Sequence, residues 1–126
     1  MKRIIAAIIL CIFVVSVLIV GNIVINNQCD GLKKDINELK SDIFSDKTEE
    51  ANQKIKNIND LWESRKTVMS IFSNHSPLDN ITIALSELTL AIEVNDKNIS
   101  LVKCGEISAL ISRITEEQRI HAESFF

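Results

Sequence analysis

Two serines, a histidine and an aspartate fall within one short stretch, Ser73-Asn74-His75-Ser76-Pro77-Leu78-Asp79. Serine, histidine and aspartate are the residue types of a nucleophile, the base that activates it and the group that orients the base. The same histidine and aspartate are potential metal ligands. A metal site needs three or four ligands, however, and His121 is the only other histidine. The local pattern has a plainer reading. Ser76 is a good N-cap, Pro77 fits the first helical position because its missing N–H costs nothing there, and Asp79 falls at N3, where the helix dipole favours a carboxylate. Ser73 and Asn74 suit the end of a preceding helix. The stretch is therefore expected to be a corner between helices rather than a catalytic centre.

Nothing else in the chain supplies the missing chemistry. Cys11, Cys29 and Cys104 show neither CxxC nor metal-ligand spacing. No glycine-rich phosphate loop is present. Asn80-Ile81-Thr82 and Asn98-Ile99-Ser100 match the glycosylation pattern, but both fall inside predicted helices, where acceptors are disfavoured. Trp62 lies in register with an apolar stripe, which makes it a core residue first and a partner anchor second. We expect no enzyme, no cofactor and no metal. Trp62, His75, Ser76 and Asp79 are the residues to examine for contact with a partner.

The elements that would position them begin with an apolar run. From Ile4 to Ile25 the chain carries no charge, and at about 1.5 Å per residue it can cross a hydrocarbon core of about 30 Å. A cleaved signal peptide is the competing reading, since Lys2 and Arg3 give the charged start. Against it, the run is longer than a signal's apolar region, and Ile19-Val20-Gly21 puts isoleucine where a small residue is wanted. An uncleaved anchor is expected, with residues 1–3 as a short cytoplasmic tail, 4–25 as the transmembrane span and 26–126 as one extracytoplasmic domain at the cell membrane. The flanking cations nearly tie: Lys2 and Arg3 abut the run on one side, while Lys33, Lys34 and Lys40 lie further off on the other. Past the anchor, 12 Lys and Arg face 17 Asp and Glu, a net of −5, which argues against nucleic acid and against anionic lipid head groups.

After the anchor the apolar residues Ile25, Cys29, Leu32, Ile36, Leu39 and Ile43 step by 4, 3, 4, 3 and 4, a stripe on one helix face. Ser45 and Asp46 are candidate caps for a second helix, whose stripe is Ala51, Ile55, Ile58, Trp62, Arg65, Met69 and Phe72, widened by Leu61, Val68 and Ile71. A third helix carries Leu78, Ile81, Leu85, Leu88 and Ile92. Asn95-Asp96 turns the chain into a fourth bearing Val102 or Cys104, then Ile107, Ile111 and Ile114. Thr115-x-x-Gln118 reads as a capping box that opens a short terminal helix. With one proline, three glycines and no hairpin turn, the fold class is all-α: a transmembrane helix followed by an antiparallel bundle of about four amphipathic helices. The second helix outruns the first, so it is expected to run beside the anchor's last turns unless the chain bends at Gly31.

The stretch from Leu61 to Ile92 resembles the family called domain of unknown function 4363. A Leu61-Trp62 pair, Phe72, His75-Ser76, Leu78-Asp79 and the leucine-rich helix with Leu85 and Leu88 carry the resemblance. It implies a small single-pass membrane protein of low-GC Gram-positive bacteria, at times encoded beside a multi-pass membrane protein. It implies no known activity.

The expected function is therefore an accessory one, in which the bundle binds another membrane or envelope protein. Self-association is left open. Two other readings also stay open: a ligand-sensing bundle that signals through a partner, and a bitopic scaffold of the divisome type. Hydrodynamic size separates a compact bundle from a long coiled-coil scaffold.

Overall fold

In the computed structural model, residues 1–72 and 75–125 are described, with the backbone alone for residue 75 and for 121–125. Four helices follow one another: α1 Lys2–Phe44, α2 Thr48–Phe72, α3 His75–Glu93 and α4 Lys97–Phe125. The apolar run and the first striped segment are thus one unbroken helix of 43 residues, about 64 Å long at the standard rise. Gly31 lies within it, so the chain does not break there.

Each helix packs on its neighbours in sequence, and α4 closes the ring against α1, while among the described residues the backbones of the diagonal pairs stay apart. This is an up-down-up-down bundle. The stripe expected on α1 is buried residue for residue, from Ile25 to Ile43, and Gly21 extends it by one turn. Facing it are Ala51, Ile55, Ile58, Trp62 and Met69 from α2, Leu78, Ile81, Leu85 and Leu88 from α3, and Cys104, Ile107, Ile111 and Ile114 from α4. The fourth stripe runs through Cys104, and Val102 points out. On α2, Leu61 and Ile71 do not widen the buried face: both are exposed.

Two of the connections are the same motif. Asp46 (φ 60°) and Asn95 (φ 57°) adopt the left-handed conformation. At each, two N–H groups reach back to carbonyls of the last turn: Asp46 to Ile43 and Lys47 to Asp42, then Asn95 to Ile92 and Asp96 to Ala91. These are Schellman caps, which satisfy carbonyls that a helix end leaves bare. Asp46 therefore ends α1 rather than capping α2. Asp96 does cap α4, its Oδ1 accepting the Ile99 N–H at 3.1 Å. Lys97 ties the two turns together, with Nζ 3.1 Å from Asp46 Oδ1 and 5.5 Å from the Phe44 ring centroid.

Two expected starts are displaced. α3 begins at His75, so Ser76 is already helical and is not the N-cap; Pro77 is the third residue, still among the N–H positions that have no intrahelical acceptor. α4 runs through Thr115 without a break, and the Thr115 hydroxyl donates to the Ile111 carbonyl at 3.1 Å instead of capping a new helix.

Polar groups bridge α2 and α3 in a repeated way. Trp62 Nε1–H donates to Thr82 Oγ1, and Asn59 Nδ2 donates to Thr89 Oγ1, both at 2.9 Å. Each threonine hydroxyl spends its own proton on the carbonyl four residues back, Leu78 or Leu85. A hydroxyl has one proton and two lone pairs, so each can serve both helices at once.

Candidate functional site

Residues 4–20 of α1 are all exposed among the described residues. Ile4, Phe13, Leu18 and their neighbours are exposed on every face, and the span's most apolar window has a mean hydropathy of 3.3. An amphipathic helix of a bundle hides one stripe; a helix apolar all round is made for an apolar surrounding. By length and composition this is one helix able to cross a membrane. Ser16, its one hydroxyl, is satisfied locally by the Ile12 carbonyl at 2.8 Å.

Where the bare span meets the bundle, α2 ends against it. A Cβ on Gly21 would lie 2.7 Å from Cδ1 of Phe72, so glycine lets the ring approach the helix backbone. The second helix thus runs beside the last turns of the apolar segment, the expected one of the two arrangements the helix lengths allow. Lower down, the Arg65 guanidinium lies over Gly31, with Nη2 3.4 Å from Asp35 Oδ2. The one charge in the α2 stripe is accommodated there.

The four residues singled out from the sequence do not converge. Trp62 is buried with its indole N–H bonded to Thr82, which makes it a core residue. Asp79 is exposed and pairs with Lys66 of α2 at 3.2 Å. Ser76, also exposed, borders a groove of about 350 Å³ between α3 and α4, with Pro77, Asn80, Leu110, Arg113 and Glu117. The side chain of His75 lies outside the described residues. The two described polar side chains that follow it, Ser76 and Asp79, thus belong to different seams of the bundle. Neither the Asp79–Lys66 pair nor the Ser76 groove was predicted, because both depend on which helices become neighbours.

Among the described residues no three His, Cys, Asp or Glu side chains lie close enough to share a metal ion. A further cleft of about 190 Å³ opens under the two Schellman turns, lined by Asp46, Lys47, Asn95 and Lys97 among others. It is smaller than the 300–1,000 Å³ usual for small-molecule sites. The thiols of Cys29 and Cys104 are buried, and burial pushes both up from the ordinary thiol range, Cys104 to about 11. They are inert by that measure. Cys29 lies at the level of Thr115, and Cys104 lies within electrostatic reach of Lys40. Eleven residues of α4 separate the two levels, roughly 16 Å at the helical rise, too far for a disulfide. A third exposed feature lies on the outer side of α3 and the start of α4, where Ile83, Leu90, Val94, Ile99 and Val102 point to solvent.

The fold defines a class: a four-helix bundle whose first helix extends from it as a bare apolar rod. The chain belongs to the family described as Domain of unknown function (DUF4363), whose model matches residues 19–124. That span is the bundle itself, and it begins two residues before Gly21, where packing starts. Neither the curated proteins nor the solved structures contain a match to this chain.

Proposed function

We propose that this is a single-pass protein of the cell membrane, anchored by residues 4–25 with its N-terminus inside, whose extracytoplasmic bundle binds another membrane or envelope protein without catalysing a reaction. The observation that carries the reading is the joining of a fully exposed apolar span to a packed bundle in one unbroken helix. A helix of that composition needs lipid, and the bundle it carries holds no assembled set of reactive groups among its described residues. The corner of α2 and α3 is the contact surface this reading favours. It lies beside the anchor, and Ser76 and Asp79 are exposed there. The compact bundle favours this reading over an extended coiled-coil scaffold.

Because Cys29 and Cys104 are buried, topology is best read from an added thiol. In a Cys11→Ala background, Val102→Cys should react with a membrane-impermeant maleimide on intact wall-stripped cells, and protection until lysis would reverse the orientation. A photo-crosslinker at Ser76 should capture a second membrane protein, whereas one at Lys56, low on the bundle, should not. Equal capture at both positions, or at neither, would remove the corner from the account. Capture of a second copy of the chain would make the partner itself.

A further inference from the structure

The bare part of α1 is short for its task. Ile4 to Val20 is 17 residues, roughly 25 Å at the helical rise, against about 30 Å for a bilayer's hydrocarbon core. About one more turn is needed, and that turn, from Gly21 to Val24, is already packed in the bundle against Phe72. The neighbouring helices at that level must therefore meet lipid as well.

Their surfaces fit that surrounding. Ile71, next to Phe72 on α2, is 71 % exposed. On α4, Thr115 lies opposite Cys29, so Ile120, five residues further up, comes level with Val24, and it is 55 % exposed. On α1, α2 and α3 charges are withheld from the same zone. No Asp, Glu, Lys or Arg occurs between Ile4 and Cys29 or between Thr67 and Leu78. The first charges below it are at one level: Asp30 beside Gly31, Lys66 beside Arg65, and Asp79 paired with Lys66. From the Gly21–Phe72 contact down to the Gly31–Arg65 contact is ten residues, roughly 15 Å. The interfacial regions together add about 10–15 Å to the core, so half of that lies on each side. α4 alone carries charge into this cap, with Glu116, Glu117, Arg119 and Glu123; the exposed Arg119 pairs with Glu116 at 3.7 Å, and a side chain of its length reaches head groups.

We propose that the anchor-side end of the bundle is immersed in the bilayer's interfacial zone, with Ile71 and Ile120 at the boundary of head groups and acyl chains. This rests on the anchor reading above. The bundle's position is then fixed in depth as well as tethered, and the α2–α3 corner is presented at the membrane surface.

The test uses the full chain in phosphatidylcholine vesicles, with an environment-sensitive fluorophore on one cysteine at a time. In the Cys11→Ala background the native buried thiols stay unlabelled, and Ile71→Cys, Ile120→Cys or Val102→Cys supplies the site. A further sample is labelled at Cys11 itself. At positions 71 and 120, a lipid carrying a nitroxide high on its acyl chain should quench several-fold more than at 102, and aqueous iodide several-fold less. If 71 and 120 behave like 102 while the Cys11 label is quenched by lipid, the anchor reading stands and this proposal is wrong. If the Cys11 label is not quenched by lipid either, both are wrong.

Discussion

The two halves of α1 share one backbone and little else. Above Gly21 apolar side chains are exposed on every face; below it Ile25, Cys29, Leu32, Ile36, Leu39 and Ile43 form one buried stripe, with Ile23 and Phe44 left exposed off it. One helix is thus written for two solvents. In the upper half sequence sets only hydrophobicity, because any rotation about the axis presents the same apolar surface. In the lower half it sets phase, because a one-residue slip would turn Ile25, Leu32 and Leu39 out of the core.

The largest expected effect separates the halves directly. Ile36→Ala, in the buried stripe, should cost about 2–5 kcal/mol of bundle stability, the usual range for opening a cavity of that size. Leu10→Ala, in the bare half, should leave the melting of the bundle unchanged when both are measured in the same detergent. Equal losses would mean that the bare half is packed on something.

A second effect tests burial of the packed face from across the core. Cys104 keeps its proton to about pH 11 in the folded bundle, against an ordinary value of 9.0. The folded state holds the proton more tightly, so this contribution is complete below pH 9 and is lost as pH rises toward 11. The shift corresponds to a loss of about 2–3 kcal/mol across that window. Denaturant melts at pH 8, 9, 10 and 11 should show the decline, and Cys104→Ala should flatten it even if it lowers stability overall. An unchanged slope in Cys104→Ala would place that thiol in contact with water.

The buried stripe on α1 was legible because it depends on residues three and four apart on one helix. The two turns at the far end were legible in place, and Asp96 caps α4 as its position suggests; Asp46 reads as a cap for α2, yet it is the left-handed residue of a Schellman motif, which is fixed by the helix before it. Ser76 and Thr115 failed for related reasons. Proline is tolerated at several positions of a first turn, so Pro77 did not fix the start of α3, and a Thr-x-x-Gln pattern inside a continuing helix satisfies its hydroxyl locally. Trp62 with Thr82, Lys66 with Asp79 and the groove that Ser76 and Arg113 both line lay beyond local reading, because each depends on which helices become neighbours.

The smallest effects concern the glycines, and their signs differ. Alanine in place of glycine within a helix gains up to about 1 kcal/mol. Gly105 has nothing within 4 Å of a new Cβ, so Gly105→Ala should stabilise by that amount. Gly21→Ala would press on the Phe72 ring at 2.7 Å and should destabilise despite the same intrinsic gain. Thermal melts of the two variants side by side should therefore move in opposite directions. A gain at Gly21 would mean that α2 does not reach the boundary between the halves.

The most direct test of the change at Gly21 is a nitroxide scan along α1 in vesicles, one position at a time from Ile8 to Ile43, reading accessibility to oxygen and to a water-soluble nickel complex. The account predicts high oxygen access without period through Val20. Beyond it, a period of about 3.5 residues should appear with its minima at Ile25, Cys29, Leu32, Ile36 and Leu39, and should continue in phase past Gly31. A period already present before Val20, or a break in phase at Gly31, would contradict it.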